Sequence, residues 1–204
     1  MKKKVIVAID GPSSSGKSTI AKLVAKHFNF TYIDSGSIYR AITYVAIKNN
    51  LIKTGNIDVV SLIDLLNNCS ISFSFNSNNQ NVIKLDNFSV ENEIRTFEIS
   101  NNVSLIAEKN EIRKYVLKIQ KDISNNKSVV MDGRDIGSVV FPNADFKFFI
   151  DASIEIRAKR RLLEKNISFL HENDEKCMLH SLIREMKERD KLDASRTTSP
   201  LVPA

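Results

Sequence analysis

The chain has 204 residues and a formal net charge of +6, from 30 Lys and Arg against 24 Asp and Glu. With 42% hydrophobic and 26% charged residues it has the composition of an ordinary globular protein. No segment approaches the roughly 18 apolar residues of a membrane span, so we expect no membrane-spanning helix. The basic balance suits acidic ligands, with a lysine-rich solvated surface as the alternative.

Two cysteines occur, Cys69 and Cys177, and they are far apart in the chain. Neither has a nearby partner for a metal site, so both are predicted to be free, buried thiols in a reducing compartment. The basic start of the chain leads into an apolar strand rather than a signal-peptide core. The expected location is the cytoplasm.

The first element is an apolar strand over residues 5–10. A loop of small residues follows, and then a helix from about Gly16 with Ile20, Leu23, Val24 and Phe28 on one face. The loop, GPSSSGKS, fits G-x-x-x-x-G-K-[ST] between a strand and a helix, as a phosphate-binding P-loop requires. Lys17 would reach the β- and γ-phosphates and Ser18 would supply an oxygen to Mg²⁺. A merely flexible loop is the alternative.

A short strand over residues 30–34 leads to DSGSIYR and a second helix to about Lys48, and Asp58 caps a short third helix. The next segment alternates with period two: ISFSF, a turn-rich tip, then VIKL, with FSV as a possible third strand. This pattern predicts an antiparallel hairpin in an inserted lobe.

Helical periodicity returns at Ile112 and continues to Ile123. SVVMDGRD and FKFFID follow and are predicted as two buried strands, and then come a basic helix over 153–166 and a helix over about 176–190. The order predicts an α/β fold of P-loop NTPase type. Its parallel sheet is flanked by helices, and it carries a small antiparallel β insert.

Two charged clusters, DSGSIYR and DGRD, stand at the carboxyl ends of predicted strands, where open parallel sheets bind ligands. Arg40 and Arg134 would then face the same crevice as Lys17, although either could be a surface ion pair. No N-K-x-D segment is present, so the guanine-reading motif of GTPases is missing.

Further basic residues stand at helical spacing nearer the C-terminus. Arg157, Arg160 and Arg161 lie near one helix face and could meet an anion, or could pair with Glu155 or Glu164. Arg189, Asp193 and Arg196 would also align on a helix, although Asp190 and Lys191 beside them allow a plain charged surface.

Together these segments resemble bacterial cytidylate kinases, within the nucleoside monophosphate kinases. The segments that carry the resemblance are GPSSSGKST (11–19), DSGSIYR (34–40), EIRT (93–96), DGRDIGSVVFP (132–142), RAKRR (157–161), and KERDKLDASR followed by PLVPA. Members of that family normally continue past PLVPA into a further parallel strand and a helix, whereas this chain ends at Ala204.

The resemblance implies a core over 1–57 and 98–204, with the lid at about 157–175, and an inserted monophosphate-binding lobe over 58–97. Lys17, Asp132, Arg134 and Arg189 would be catalytic, and Mg²⁺ would bind Ser18, with Asp132 acting through water. The residues that would bind ATP are Gly11, Pro12, Ser13, Ser14, Ser15, Gly16, Lys17, Ser18, Thr19, Arg157 and Arg161. Those that would bind CMP are Ser35, Arg40, Arg95, Gly133, Arg134, Asp135, Arg189, Asp193 and Arg196.

The implied reaction is phosphoryl transfer from ATP to CMP or dCMP with Mg²⁺, in a monomer that binds neither nucleic acid nor membranes. Because the acceptor phosphate is already largely ionised at neutral pH, no general base is required. One alternative is another small-molecule P-loop kinase with UMP or a hydroxyl acceptor. A non-catalytic nucleic-acid-binding protein is a second alternative.

Overall fold

The computed structural model describes residues 4–75, 81–164 and 172–204. The chain forms two compact units, residues 1–5 with 30–131 and residues 6–29 with 132–204. The α/β class is confirmed, with a parallel central sheet, flanking helices and two small antiparallel sheets. Within the described ranges, no helix is both long and apolar enough to cross a membrane.

The first unit is mostly helical and carries two small sheets. Its strands are β2 (Thr31–Asp34), β3 (Ile52–Lys53), β4 (Asn56–Ile57), β5 (Ile71–Phe75), β6 (Asn81–Leu85) and β7 (Phe88–Ser89), and its helices are α2 (Ser35–Lys48), α3 (Val59–Asn67), α4 (Phe97–Ala107) and α5 (Asn110–Ser124). A 3-10 turn spans Glu93–Arg95. The N–H of Val129 donates to Val5 O at 2.9 Å and that of Thr31 to Ser128 O at 3.0 Å, so the segment entering β8 runs beside both chain segments.

Local sequence explains the elements of this unit that were predicted. Asp58 caps α3 by accepting a hydrogen bond from the N–H of Ser61, as expected. The hairpin is confirmed, with Ile71 opposite Leu85 and Phe75 opposite Asn81, and β7 adds a third strand to it. The predicted tip of the hairpin lies mostly outside the described residues. Neither the β3–β4 pair nor α4 was predicted.

The core of the first unit is an aliphatic cluster that joins its helices to the hairpin. Ile38, Ile42, Leu62, Ile83 and Ile106 are all fully buried in it. These residues come from three helices (α2, α3 and α4) and one strand (β6). The cluster therefore packs the hairpin against α2. The boundaries predicted for an inserted lobe at 58–97 stay a prediction.

The second unit contains β1 (Ile6–Asp10), α1 (Lys17–Phe28), β9 (Phe146–Phe149), α6 (Ile154–Glu164) and α7 (Glu172–Ser195), and β8 (Val129–Gly133) carries the chain into it. Strands β1 and β9 pair in parallel, with Val7 opposite Phe146. A π-helical turn, Ile136–Val140, follows β8. Part of the predicted lid, 165–171, lies outside the described residues.

Three sequence predictions about burial were wrong. The apolar face proposed for α1 is not its buried face: Leu23 and Phe28 are 63% and 58% exposed, whereas Ala21 and Ala25 are buried. Strand β9 is not a buried strand, since Phe146 and Phe148 are 54% and 51% exposed. Cysteines 69 and 177 are free, but the first is only half-buried and the second is exposed.

We predict that Leu62→Ala lowers the free energy of unfolding by about 2–5 kcal/mol, because it leaves a cavity in the aliphatic cluster. Leu62 is fully buried, whereas Val60 on the same helix is 74% exposed. Val60→Ala is therefore the matched control and should change stability by less than about 0.5 kcal/mol. Urea denaturation followed by circular dichroism measures both, and equal losses would contradict the packing.

Candidate active site

The P-loop connects β1 to α1 in a conformation that requires glycine at two positions. Gly11 has φ 154°, and a Cβ there would lie only 2.0 Å from Ile150 O. Any residue other than glycine would therefore clash at this position. Gly16 has φ 96° and is the N-cap of α1, and because glycine has no side chain it makes no side-chain cap to the first N–H groups of the helix. The first N–H groups of α1 are therefore oriented as an anion site requires.

Basic side chains donate to consecutive carbonyl oxygens of this loop. Arg134 donates to Gly11 O at 2.5 Å and Lys17 Nζ to Pro12 O at 3.1 Å. Arg157 Nη1 donates to Ser13 O at 3.4 Å, and Arg160 Nη1 to Ser14 O at 3.3 Å and Ser15 O at 2.9 Å. The C=O and N–H of one peptide point in opposite directions. Because the carbonyl oxygens of this loop face the basic side chains, its N–H groups remain available to a phosphate.

Two further observations support an anion and a metal ion at this loop. Ser15 Oγ is buried and has no hydrogen-bond partner among the described residues. Ser18 Oγ donates to Asp132 Oδ2 at 2.7 Å, and Asp132, near the end of β8, is 2% exposed. A hydroxyl and a carboxylate are oxygen donors of the kind that Mg²⁺ takes together with water and phosphate. No group of three or more His, Cys, Asp or Glu side chains within the described ranges could hold a metal ion.

A buried ion-pair cluster follows β8. Asp193 on α7 is 1% exposed. Its carboxylate pairs with Arg134 Nε at 2.9 Å and with Arg196 Nη2. Arg189 lies one turn earlier on α7, so the structure brings these four predicted residues onto or beside one helix end. Two guanidinium groups on one carboxylate leave a net positive charge, which suits a phosphate ligand.

Asp10 was not predicted as a site residue, yet it organises the turn that follows β8. It ends β1, is 3% exposed, and accepts hydrogen bonds from the N–H groups of Ile136 at 2.8 Å and Gly137 at 2.7 Å. Burial raises the pKa of Asp10, as does the charge of Asp135, while the two N–H donors and Lys17 act to lower it. The only sequence signal is a carboxylate at the end of an apolar strand.

The predicted arginines of α6 have different surroundings. Arg157 is 6% exposed and pairs with Asp190 on α7 at 2.6 Å. Arg161 pairs with Glu164 at 3.3 Å, which is the local partner that the sequence left open. Arg160, which was considered only as part of a basic face, also contacts the P-loop, at two carbonyl oxygens.

In the first unit, the structure places a second group of predicted residues at and after the end of β2. Ser35 is buried at the start of α2, which Asp34 caps by accepting from Ser37 N–H. Arg95 pairs with Asp34 at 3.0 Å and with Glu91 at 2.6 Å. Desolvation acts to lower the pKa of Arg95, but the charges and hydrogen bonds of these two carboxylates raise it. Arg40 Nη1 donates to Ser100 Oγ at 3.0 Å.

Comparison with known proteins supports the resemblance. The family model described as cytidylate kinase matches residues 7–204. The chain is 42% identical over 203 residues to a cytidylate kinase of Flavobacterium johnsoniae, covering 99% of this chain and 86% of the relative. It is 42% identical over 202 residues to that of Streptococcus sanguinis, covering 99% and 86%, and 45% identical over 201 residues to that of Clostridium tetani, covering 98% and 83%. The agreement therefore extends far beyond the P-loop.

We predict that Asp10 makes stability fall with rising pH in the acid range. Because burial raises the pKa of Asp10 above 3.8 in the folded protein, the folded state binds this proton more tightly than the unfolded chain does. The contribution of this proton to the free energy of unfolding is complete below the pKa of Asp10 in the unfolded chain. It is lost as the pH rises through the pKa of Asp10 in the folded protein.

Asp10→Asn removes the titrating group and is the matched comparison. Urea denaturation of both proteins between about pH 4 and about pH 7 should show wild type losing stability relative to the variant as the pH rises. A gain by wild type over that range would mean that the two N–H donors outweigh burial.

Proposed function

This chain belongs to the cytidylate kinase family, and on that premise we propose that it transfers the terminal phosphoryl group of ATP to CMP or dCMP. The products would be ADP and CDP or dCDP. The observation that carries the proposal is the P-loop whose carbonyl oxygens bond to Arg134, Lys17, Arg157 and Arg160. This arrangement orients its N–H groups for a triphosphate.

The acceptor needs no general base. The second pKa of a phosphate monoester is about 6, so the attacking oxygen of CMP carries a charge at neutral pH. What the enzyme has to overcome is the repulsion between two anions. Arg134 and Arg157 each contact both a carboxylate and the P-loop. They suit this task because their positions are held before either substrate arrives.

Mg²⁺ fits the oxygen donors at the start of α1. Ser18 Oγ would bind the ion directly, and Asp132, to which that hydroxyl donates at 2.7 Å, would hold it through water. When bound, the ion would neutralise part of the phosphate charge. Lys17 precedes Ser18 in the chain, and its Nζ donates to Pro12 O. When ATP binds, this Nζ would donate to the β- and γ-phosphates instead.

For the acceptor nucleotide, we assign phosphate contacts to Arg40, Arg134 and Arg189, and nucleoside contacts to Ser35 and Arg95. Gly133 and Asp135 flank Arg134, and both are buried at the end of β8. Asp193 and Arg196 are the remaining two residues that we assign to the CMP site. Since the Asp193 carboxylate already pairs with Arg134 and Arg196, its first role is to orient these two guanidinium groups, with any contact to cytosine additional.

On the ATP side, Arg157 and Arg161 would act from α6 as the beginning of a lid. Closure over bound nucleotides would keep water away from the transferred group. The matched relatives give no support to a hydroxyl acceptor or to a nucleic-acid-binding protein. The cytoplasmic location stays a prediction of the sequence, and the monomeric state stays a prediction of the resemblance.

We predict that the chain phosphorylates CMP and dCMP in preference to UMP, AMP and shikimate when each is supplied with Mg-ATP and ADP release is followed. Lys17→Ala, prepared in the same way, controls for contaminating kinases and should lose more than about 10³-fold in kcat, because the phosphates lose their point charge. A panel in which UMP, AMP or shikimate is the best substrate would overturn the acceptor assignment, and wild-type rates in Lys17→Ala would remove the P-loop from the mechanism.

We also predict that Asp132→Asn raises the Mg²⁺ concentration needed for half-maximal activity by about tenfold or more, because an amide is a weaker donor to a hard cation. Excess Mg²⁺ should restore part of the rate. Asp122→Asn, on the solvent side of α5, is the charge-matched control and should titrate like wild type. An unchanged Mg²⁺ midpoint in Asp132→Asn would exclude Asp132 from the metal site.

A further inference from the structure

One face of α7 changes from apolar to acidic along its length. Leu182 and Met186 are buried against Ala158 and Leu162 of α6. Asp190 and Asp193 follow Met186 four and seven residues later, a spacing that places them on the same helix face. The α6-facing stripe of α7 therefore ends in two carboxylates, of which Asp193 is 1% exposed and the Asp190 side chain 24%.

Each of these carboxylates binds an arginine that donates to a P-loop carbonyl. Asp193 pairs with Arg134, which donates to Gly11 O at 2.5 Å. Asp190 Oδ2 lies 2.6 Å from Arg157 Nη2, and Arg157 Nη1 donates to Ser13 O at 3.4 Å. Two parallel connections thus run from one face of α7 to the loop.

Among the described residues, Asp190 is the closest acidic neighbour of Arg157. Its side chain is 7% exposed, and its Nε donates to Ala152 O at 3.0 Å. The other carboxylate near it, Asp151, is 4.0 Å away and 62% exposed, so water screens it. A guanidinium group buried to this extent requires a close counterion, and breaking such a pair leaves an uncompensated buried charge.

We propose that Asp190 is a positioning residue for ATP binding: through Arg157 it holds the Ser13 carbonyl, and hence the neighbouring P-loop N–H groups, in the orientation that accepts the triphosphate. The proposal rests on the proposed function in so far as ATP is the P-loop ligand. Asp190 does not touch the nucleotide. Its contribution is the charge and direction of its carboxylate, not the volume it fills.

Two variants separate charge from shape. Asp190→Asn keeps the size of the side chain and removes its charge, whereas Asp190→Glu keeps the charge and adds a methylene group. Because charge-assisted hydrogen bonds are about twice as strong as neutral ones, Asp190→Asn should weaken binding of Mg-AMP-PNP about tenfold, measured by isothermal titration calorimetry. Asp190→Glu should stay within about threefold of wild type. Better binding by the Asn variant than by the Glu variant would overturn the proposal.

A double-mutant cycle tests whether Asp190 acts through Arg157. Arg157→Gln combined with Asp190→Asn should bind Mg-AMP-PNP within about threefold of Arg157→Gln alone, since the carboxylate then has no guanidinium left to hold. Multiplied losses would mean that Asp190 acts by another route. The double variant contains no unpaired charge at this point, so the comparison stands even if Asp190→Asn alone does not fold.

Glu188→Gln is the matched control, because Glu188 is exposed on the same helix. It should bind Mg-AMP-PNP like wild type, and a loss equal to that of Asp190→Asn would show a general charge effect. Circular dichroism at the titration temperature confirms that each protein is folded. The readout involves no acceptor, so a wild-type chain that binds Mg-AMP-PNP but leaves CMP unphosphorylated counts against the proposed function alone.

Discussion

The orientation of the P-loop peptides is the constraint on which the rest of the second unit depends. For N–H groups to converge on a phosphate, the carbonyl oxygens of the same peptides must point away and be satisfied elsewhere. The structure satisfies them with side chains of Arg134, Lys17, Arg157 and Arg160. Gly11, which passes against Ile150 O, allows the chain to enter this conformation. A lysine and three arginines therefore shape the loop as well as providing charge.

Aspartates at strand ends have a related role. Asp10 at the end of β1 holds the N–H groups of Ile136 and Gly137, and Asp132 in β8 accepts from the Ser18 hydroxyl. In the first unit, Asp34 at the end of β2 both caps α2 and pairs with Arg95. In each case a carboxylate that follows an apolar strand fixes the segment that carries a predicted site residue. Asp10 and Asp132 are both buried, and each accepts hydrogen bonds that offset part of the cost of burying a carboxylate.

The sequence predicted the elements whose pattern is local. The P-loop, the capped helix after Asp58 and the hairpin over residues 71–85 follow from a motif, a cap and a period of two, and all three are present. The pattern misled where burial depends on distant segments. In α1 the small residues Ala21 and Ala25 are buried while the larger Leu23 faces outward, because the pattern within a helix does not show which of its faces a neighbouring segment covers.

The arginine partners could not be predicted for the same reason. Arg157 and Asp190 are 33 residues apart, and Arg134 and Gly11 are separated by 123. No spacing rule links such positions before the fold is known. Basic residues at i, i+3 and i+4 in α6 suggested one shared face, yet Arg157, Arg160 and Arg161 each have a different set of acceptors. Helical spacing identifies which side chains can share a face, but the neighbouring element decides what each one binds.

This division of acceptors also explains how a strongly basic site stays folded without substrates. Arginines gathered in one site repel one another, and burial removes the water that would screen them. Asp193 between Arg134 and Arg196, and Asp190 against Arg157, offset that repulsion. The carboxylates weaken the attraction for phosphate, but they hold each guanidinium group in one direction. Catalysis of phosphoryl transfer depends on donors that need little reorganisation at the moment of reaction, and arginines held in this way meet that requirement.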